Sequence, residues 1–600
     1  MKTAATGTAP GRRIGARVSL VAVALIALAL VLHAPTLGRG FNYDDFIHQY
    51  LLRYAMQWPD AGPWRLYDFS FWTATSAAQQ AGGLAPWWVS PDFKTSFFRP
   101  VTSLSLLLDY RLYGGWAPGY HVTSLALFGV LLLLAFLLYC ELGAPSRAAL
   151  WALAFFALSG NHVLPVGWIA NRNELLSSLF VVAMMLNVSR YGRLGGMHRL
   201  VSGVACFLLA CLSKESGLIG LPLVGLYLWI LKSPVSGESR RGRFLRVARS
   251  RTLWTFVVCA GAYMAVYLAF GHGATSANYA TPWRRTGVYL GRLAALFPLA
   301  SGSLFFGLST DLVFTRPQLY GPVLGLAAAL FALLLGVLWL WLRRTPLAWF
   351  AAGWVAAALF PMAGVTLSDR LLMSASLGSA LLLGLLVDRT GSVREILGGL
   401  RSRWPALLFV ALNLVVAVLA GWVRSHMFFG MAAADRAASA NAEIVRADAA
   451  AGPVIALNSP STLLALTMRP TWAVTHDDPK TAIYFLAMAR LGETCVRESD
   501  DTLVVTCDAP FLLAHRYERV FRASEAPPPP GTVFVTPAFT ATVLATEGLG
   551  IKSVRFTFRK GLEAYRFLAW QRGVYRRVSP PPVGRILRLP APEPTVPWVP

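Results

Sequence analysis

Two adjacent aspartates, Asp44 and Asp45, follow the first long apolar run of the chain, which spans 18–34. Side-by-side carboxylates repel each other and lose solvation near hydrocarbon, so a position close to a bilayer requires a reason. A carboxylate at such a place can act as a general base that removes a proton from an acceptor hydroxyl. The alternative is that the pair belongs to a hydrated loop without a chemical role.

A set of charged or titratable side chains is predicted at the same depth, at the ends of later apolar runs. Its members are Arg99, His121, Arg172, Glu174, Lys214, Glu215 and Arg370. Charges at membrane depth cost about 2.5–3.5 kcal/mol each on insertion, so they are rarely without a function. The cations suit a phosphate, and a carboxylate suits a hydroxyl that must lose its proton. The competing interpretation is local ion pairing, between Lys214 and Glu215 and between Arg172 and Glu174.

The composition excludes a soluble protein. Hydrophobic residues make up 56% of the 600 residues and charged residues only 14%, and several apolar runs are long enough to span a membrane. The net charge of +25 would suggest nucleic acid in a soluble chain, but the basic residues concentrate in alternate connections. These connections are 1–17, 140–148, 190–200, 232–251, 343–345 and 389–404. By the positive-inside rule they are cytoplasmic, and no nucleic-acid partner is expected.

The apolar runs predict a mainly α-helical, polytopic bundle of about eleven spans in a lipid bilayer. Their approximate bounds are 18–34, 121–139, 149–168, 174–190, 200–213, 217–231, 252–271, 321–342, 346–366, 373–388 and 405–423. The segment 287–306 is predicted to be a re-entrant or interfacial helix, because a full crossing would place the basic turn after Trp341 outside. The first run is interpreted as a retained span with a cytoplasmic N-terminus; the alternative is a signal peptide cleaved near Ala34.

Two regions are predicted outside the membrane. The first, 35–120, is rich in aromatic residues and is expected to form interfacial helices within a transmembrane module that covers 1–423. The second, 424–600, loses the apolar runs and is predicted to be a small α+β domain on the outer side. Its strand-like stretches are 454–458, 503–506, 533–536 and 554–558.

Cys495 and Cys507 flank a polar turn in this C-terminal region. In an oxidising periplasm a disulfide between them is expected, worth about 2–3 kcal/mol, and two unpaired thiols are the alternative. The nearby stretch THDDPK (475–480) contains metal-binding residue types, but Asp-Asp-Pro is more typical of a turn. The sequence therefore predicts no dedicated metal site here.

The order of the charged motifs resembles the membrane module of the GT-C glycosyltransferases, in the branch of the protein O-mannosyltransferases and the transmembrane-TPR O-mannosyltransferases. The matching pieces are NYDDF, FFRPV with SLLLDYRLYG, PGYHVTSLALF, WIANRNELLSSLF, SKESGLIGLPL and SDRLLMSASLG, over roughly residues 20–390. Each piece alone is weak, and their shared order is specific. The resemblance implies a polyprenyl-phosphate-linked sugar as donor. It places the catalytic carboxylate on Asp44, with Asp45 beside it, and a phosphate contact on Arg370.

The chain departs from the family pattern at two places. Where relatives carry a glutamate before the third outer loop, this chain reads SGNHVLPVGW, so Leu164 occupies that position while His162 and Trp168 are kept. Glu174 is the remaining candidate for the role of the lost glutamate. The C-terminal region also lacks a repeat of about 34 residues, so acceptor recognition must differ from that of TPR-bearing relatives.

These observations predict a glycosyltransferase of the bacterial inner membrane with its C-terminal domain in the periplasm. Asp44 would deprotonate an acceptor hydroxyl, which attacks the anomeric carbon of the sugar with inversion. Arg370, assisted by Arg172 or Lys214, would hold the donor phosphate and stabilise the leaving group. No cofactor is required by this chemistry, although the Asp44–Asp45 pair could hold a divalent cation.

The acceptor class stays open from the sequence: a protein, a polysaccharide or a lipid. Two other functions compete with the enzyme. A catalytically idle scaffold of the same fold is favoured by the lost glutamate and opposed by the retained aspartate, lysine and arginine motifs. A transporter of lipid-linked sugars would need polar residues through the whole bilayer, whereas the charged residues cluster at one end of the spans.

Overall fold

A computed structural model gives the fold of the protein. It describes residues 15–56, 62–69, 82–232, 238–389, 407–444, 452–488, 492–514, 516–524 and 526–593. The described α-helices are Ala16–His33, Asp44–Tyr54, Pro100–Tyr113, Ala117–Glu141, Ser146–Ala157, Val163–Gly167, Arg172–Leu194, Met197–Ser213, Gly220–Leu226, Arg240–Ala248, Arg251–Ala269, Thr286–Phe306, Asp311–Thr315, Tyr320–Leu342, Pro346–Leu359, Met373–Arg389, Ala417–Ala440, Thr462–His476 and Arg516–Arg519.

Eight helical segments in the described parts of the chain are long and apolar enough to cross a membrane. They are Ala16–Gly38, Ala117–Glu141, Ile169–Leu194, Arg251–Ala269, Thr286–Phe306, Pro317–Leu342, Pro346–Gly364 and Leu407–Ala440. The helices Ser146–Ala157 and Gly160–Gly167, which meet at 45°, would together make one bent span. The mainly helical, multi-pass membrane architecture predicted from the sequence is confirmed.

Two of the predicted spans are shorter apolar helices, Met197–Ser213 and Glu215–Leu231. The chain reverses sharply between them, since a Cβ on Gly217 would lie 2.4 Å from the backbone carbonyl carbon of Ala210. This hairpin places Lys214 at its tip. The reversal therefore positions the SKES motif at one end of the helix bundle.

The helix Thr286–Phe306 is bound near both of its ends to one connection of the chain. Near its start, the hydroxyl of Tyr289 donates to the carbonyl of Phe360 at 2.8 Å, and near its end the hydroxyl of Ser303 donates to Asp369 at 2.8 Å. Phe360 and Asp369 belong to the single connection between the helices that end at Leu359 and begin at Met373. The length and apolar composition of this helix are also sufficient to cross a membrane, so the interfacial alternative for 287–306 stays a prediction. No re-entrant turn is formed, because the helix is continuous over 21 residues.

The C-terminal region contains most of the sheet structure. The strands are β1 Lys94–Ser96, β2 Gly273–Thr275, β3 Val454–Ala456, β4 Ile483–Phe485, β5 Glu493–Arg497, β6 Thr502–Cys507, β7 Val533–Val535, β8 Phe539–Glu547, β9 Gly550–Phe558, β10 Arg566–Gln571, β11 Val574–Val578 and β12 Ile586–Leu589. One sheet has the order β11-β10-β3-β4, and a second, six-stranded antiparallel sheet has the order β12-β5-β6-β9-β8-β7. The predicted α+β character is confirmed, and the four strand-like stretches fall in β3, β6, β7 and β9.

Part of the long loop after the first helix packs against this C-terminal region. Trp87 and Trp88 are 3% and 0% exposed, and their indole N–H groups donate to the backbone carbonyls of Leu486 and Glu518. Both rings belong to the core that the two sheets share. They are buried in protein and do not lie in the membrane interface, which corrects the prediction for this part of 35–120. The tryptophans at 58 and 72 lie outside the described residues.

The structure also corrects the predicted disulfide, because Cys495 and Cys507 are both free and buried. In the register of β5 and β6, Cys495 lies opposite Val505 and Cys507 lies opposite Glu493. The two cysteines are therefore diagonal neighbours. Diagonal side chains are about 7–8 Å apart, beyond the reach of a disulfide, whose Cβ atoms are about 3.8 Å apart.

Gly83 fixes the contact between the long loop and β4, and its substitution is expected to be costly. Its φ is +81°, and a Cβ there would lie 1.7 Å from the carbonyl oxygen of Ile483. We expect Gly83→Ala to destabilise the protein by about 1–3 kcal/mol and to expose the loop to proteases. Gly114→Ala is the matched control, because Gly114 also has a positive φ, +55°, but no atom within 4 Å of the added Cβ. Equal unfolding temperatures for both variants would contradict the predicted contact.

Candidate active site

The two aspartates open a helix, Asp44–Tyr54, directly after a strained residue. Tyr43 has a φ of 44°, which is uncommon for a residue with a Cβ. The turn brings both carboxylates to the N-terminus of the helix, where the helix dipole favours negative charge. The local chain thus explains why two acids are tolerated in succession. The two carboxylates differ in burial and in hydrogen bonding, so Asp44 and Asp45 have different roles.

The carboxylate of Asp45 is hydrogen-bonded to the backbone. Its side chain is 1% exposed, and its two oxygens accept hydrogen bonds from the N–H groups of Asn42, at 2.9 Å, and Ala170, at 2.7 Å. Burial raises the pKa of Asp45 well above its usual range, and the two backbone hydrogen bonds oppose that shift. Asp45 therefore ties the loop after the first helix to the connection that precedes Arg172.

Asp44 lies in a different environment. It is half-buried, and its carboxylate makes no hydrogen bond or ion pair with any residue that the structure describes. Burial raises the pKa of Asp44 above its usual range, and the positive charge of Arg370 lowers it in part. A carboxylate with open oxygens and a raised pKa is suited to take up a proton.

Arg370 is the cation whose charge lowers the pKa of Asp44. Its guanidinium lies 5.0 Å from the ring centroid of Trp168, and it forms no ion pair within the described residues. The preceding residue, Asp369, is 1% exposed and accepts hydrogen bonds from Ser303 and Thr310. Asp369 also pairs with Arg424, so the backbone next to Arg370 is firmly held. The guanidinium itself is left available for an anion.

Two further ion pairs lie near this site, with partners that differ from the predicted local ones. Arg99 pairs with Glu215 at 2.7 Å, and Lys214 pairs with Glu174. Both pairs join segments that are distant in the chain. The local interpretation, in which Lys214 pairs with Glu215, is wrong. Glu174 pairs with Lys214, and its proposed role as a substitute for the glutamate lost at position 164 stays a prediction.

The side chains of Arg172 and His121 are fully buried. Arg172 is 0% exposed and forms an ion pair with Asp109 at 2.5 Å. It also donates to the carbonyl of Tyr120 at 2.7 Å and to the hydroxyl of Ser124 at 3.2 Å. The imidazole of His121, 0% exposed, lies 3.2 Å from the carbonyl oxygen of Gly40. These contacts assign both residues to packing between helices. Asp109 escaped the sequence analysis, although it lies within one of the family motifs.

Tyr279 is a site residue that sequence reasoning missed. It is half-buried and packs against Phe97, with ring centroids 5.9 Å apart. The charged groups that act on its pKa are Arg99, Arg370, Glu215 and Asp44. Burial is the largest influence and raises the pKa of Tyr279. The hydroxyl therefore stays protonated and can donate a hydrogen bond. Tyr279 lies in a polar connection after the helix Arg251–Ala269. That position is the only feature of the sequence that could have indicated a role for Tyr279 in the site.

The two kept residues of the altered motif have defined contacts. His162 is 0% exposed, and its Nε2 lies 2.8 Å from the hydroxyl of Ser376. The indole N–H of Trp168 donates to the carbonyl of Asn42 at 3.3 Å, and the guanidinium of Arg370 lies over the indole ring in a cation–π contact. Trp168 thus links the aspartate turn to Arg370.

At the pair Asp44–Asp45, each oxygen of Asp45 accepts one backbone N–H and keeps a second lone pair, so the possible divalent cation stays a prediction. Within the described residues, no group of three or more histidine, cysteine, aspartate or glutamate side chains is arranged to hold a metal ion.

No protein-family model matches the chain. Curated relatives include protein O-mannosyl-transferase Tmtc1 of Drosophila melanogaster, 29% identical over 214 residues, and TMTC3 of Homo sapiens, 31% identical over 93 residues. The matches cover 36% and 16% of this chain, and 23% and 10% of the two relatives. The chain thus spans about a quarter or less of these relatives. The matches confirm the resemblance to protein O-mannosyl-transferases inferred from the motifs.

Solved structures give weak similarities over most of the chain. An oligosaccharyltransferase of Archaeoglobus fulgidus tethered to an acceptor peptide is 12% identical, with a TM-score of 0.42, and the match covers 77% of this chain and 63% of that one. ArnT of Cupriavidus metallidurans bound to undecaprenyl phosphate is 14% identical, with a TM-score of 0.38, and the match covers 79% and 90% of the two chains.

Proposed function

We propose that the protein is a membrane glycosyltransferase that moves a sugar from a polyprenyl-phosphate-linked donor to an acceptor hydroxyl. The observation that carries this proposal is that an open carboxylate, Asp44, lies within electrostatic range of Arg370, whose guanidinium forms no ion pair with a described residue. A base and a phosphate-binding cation are the two groups that such a transfer needs. The curated relatives, which are named protein O-mannosyl-transferases, support the same reaction class.

In the proposed mechanism, Asp44 accepts the proton of the acceptor hydroxyl. The resulting oxygen nucleophile forms a bond to the anomeric carbon as the bond from that carbon to the phosphate oxygen breaks, with inversion. The electron pair leaves with the polyprenyl phosphate, whose added negative charge is stabilised by Arg370. The hydroxyl of Tyr279 supplies a neutral donor beside the same charge. No cofactor takes part.

The proposed location is the periplasmic face of a bacterial inner membrane, with the N-terminus in the cytoplasm. The basic connections support this orientation through the positive-inside rule. The C-terminal domain adjoins the Asp44 end of the bundle, since the helix Ala417–Ala440 leads into it and Tyr43 donates to Asp435. That contact suits a domain that presents an acceptor to Asp44. The names of the relatives favour mannose as the sugar and a protein hydroxyl as the acceptor.

The test is sugar transfer by membranes that contain the protein, supplied with a radiolabelled polyprenyl-phosphate sugar. We expect release of polyprenyl phosphate together with label on an acceptor. Arg370→Gln should raise the KM for the donor by about tenfold to a hundredfold, because one charge-assisted phosphate contact is lost. Arg370→Lys, which keeps the charge, is the control and should lose less. Absence of transfer from every donor tried would overturn the proposal in favour of a scaffold or a transporter.

A further inference from the structure

An open, groove-like cavity lies at the opposite end of the helix bundle from Asp44. Its volume is about 430 Å³, within the usual range of ligand pockets. Its lining is apolar throughout: Pro222, Gly225, Leu226, Trp229, Phe244, Val247, Ala248 and Leu253. It lies where the helix Gly220–Leu226 passes into the π-helix Tyr227–Leu231. An apolar cavity of this size in a membrane protein suits a hydrocarbon chain.

The helix Arg240–Ala248 covers this cavity with an apolar face. Phe244, Val247 and Ala248 are spaced i, i+3 and i+4, so they share one side of the helix. Phe244 also contacts Trp229 across the cavity, with ring centroids 6.4 Å apart. The start of the helix is fixed by Ser239, whose side chain accepts a hydrogen bond from the N–H of Gly242.

The rest of this helix is strongly basic. Between Glu238 and Arg251 the sequence contains six arginines and a single acidic residue. Glu238 pairs with Arg243 and Arg246. Arg240 and Arg241 are exposed and form no ion pair with a described residue. Arg240 precedes Phe244 by one helical turn, so its charge lies on the same side as the apolar cavity lining.

The position of the cavity in the membrane follows from its neighbours. The helix Glu215–Leu231 starts at the Asp44 end, where Glu215 pairs with Arg99, and runs away from it. The next long helix, Arg251–Ala269, returns to the same end, where β2 pairs with β1 of the long loop. The basic helix between them therefore lies at the other membrane surface, far from the proposed donor phosphate.

We propose that this cavity binds an acyl chain of an anionic glycerophospholipid, with the lipid phosphate held by Arg240 and Arg241. The apolar lining contacts the acyl chain of the lipid. The guanidinium groups of Arg240 and Arg241, which form no ion pair with a described residue, bind the phosphate of the head group. The charge complementarity selects an anionic lipid over a zwitterionic one. The donor lipid of the proposed reaction has its phosphate at the opposite surface, so it is a different ligand.

The test measures lipid retained by the delipidated full-length protein in detergent, with phosphatidylglycerol and phosphatidylcholine of identical acyl chains as probes. We expect about a tenfold preference for phosphatidylglycerol at physiological salt. Arg240→Gln combined with Arg241→Gln should reduce this preference to about twofold or less. Gly225→Leu should lower retention of both lipids, because a Cβ at Gly225 meets no atom within 4 Å and the larger side chain enters the cavity.

Two matched controls separate the site from general effects. Arg585→Gln combined with Arg588→Gln removes the same charge from exposed positions of the C-terminal domain, and Gly336→Leu adds the same side chain at an exposed helix position with no atom within 4 Å. Both should bind lipid as the unmodified protein does. Equal retention of the two lipids, unchanged retention in Gly225→Leu, or displacement of phosphatidylglycerol by polyprenyl phosphate would overturn the proposal.

Discussion

Asp44→Asn is expected to lower the rate of sugar transfer by about 10²–10⁴-fold while the protein remains folded. Asparagine keeps the size of the side chain but cannot accept the proton of the acceptor hydroxyl. Folding should be preserved, because the Asp44 carboxylate makes no hydrogen bond or ion pair with the described residues. The measurement is the rate of label transfer per folded molecule, with the unfolding temperature recorded in the same detergent.

Asp45→Asn provides the matched comparison one residue away. Its amide has a single acceptor oxygen, so one of the N–H groups of Asn42 and Ala170 would face an NH₂ group. A buried, unsatisfied donor costs about 1–3 kcal/mol, so this variant should lose stability while its transfer rate per folded molecule stays closer to the original. If Asp45→Asn abolished transfer and Asp44→Asn did not, the assignment of the base would be wrong.

The pH dependence of transfer follows from the same carboxylate. A general base acts only when it is ionised, so transfer should be present above the pKa of Asp44 and fall as the pH drops through it. Burial raises that pKa, so the fall should begin above the ordinary carboxyl range of about pH 4. Asp44→Asn should remove this limb of the profile together with the rate.

Sequence reasoning located the segments of the candidate site better than it located their contacts. The order of the motifs brought Asp44 and Arg370 into one group, and the structure places Arg370 where its charge lowers the pKa of Asp44. The ion-pair partners of the charged residues could not be predicted from their spacing in the sequence. Lys214 and Glu215 are neighbours in the chain, yet they do not pair with each other. At the hairpin next to Gly217, Lys214 pairs with Glu174 and Glu215 pairs with Arg99, and both partners belong to distant segments.

Other features depend on register and on tertiary approach, which a single sequence does not encode locally. The disulfide prediction failed because a shift of two residues in the pairing of β5 and β6 separates Cys495 from Cys507. Tyr279 joins the site only because the connection after a distant helix folds back to Phe97. Asp109 lies in an apolar stretch, and the sequence does not show that it forms an ion pair with Arg172 on another helix.

Arg172→Met is expected to destabilise the protein by about 3–5 kcal/mol, with little change in transfer rate per folded molecule. Arg172 and Asp109 are 0% and 2% exposed, so removing the cation leaves a buried carboxylate without its charge partner. Asp109→Asn, which leaves the arginine uncompensated, should act in the same direction. The double variant Arg172→Met with Asp109→Leu should regain part of the loss, because apolar groups can replace a buried ion pair.

Arg99→Met gives the comparison with a more exposed pair. Arg99 and Glu215 are 12% and 25% exposed, so water compensates part of the lost interaction and the destabilisation should be smaller than for Arg172→Met. The charge of Arg172 at membrane depth led to the prediction that Arg172 or Lys214 assists in holding the donor phosphate. If Arg172→Met kept its unfolding temperature and instead raised the KM for the donor, that earlier role would be correct and the structural role would be wrong. Loss of stability at unchanged KM would assign Arg172 to the helix packing that holds Asp45 and its loop in place.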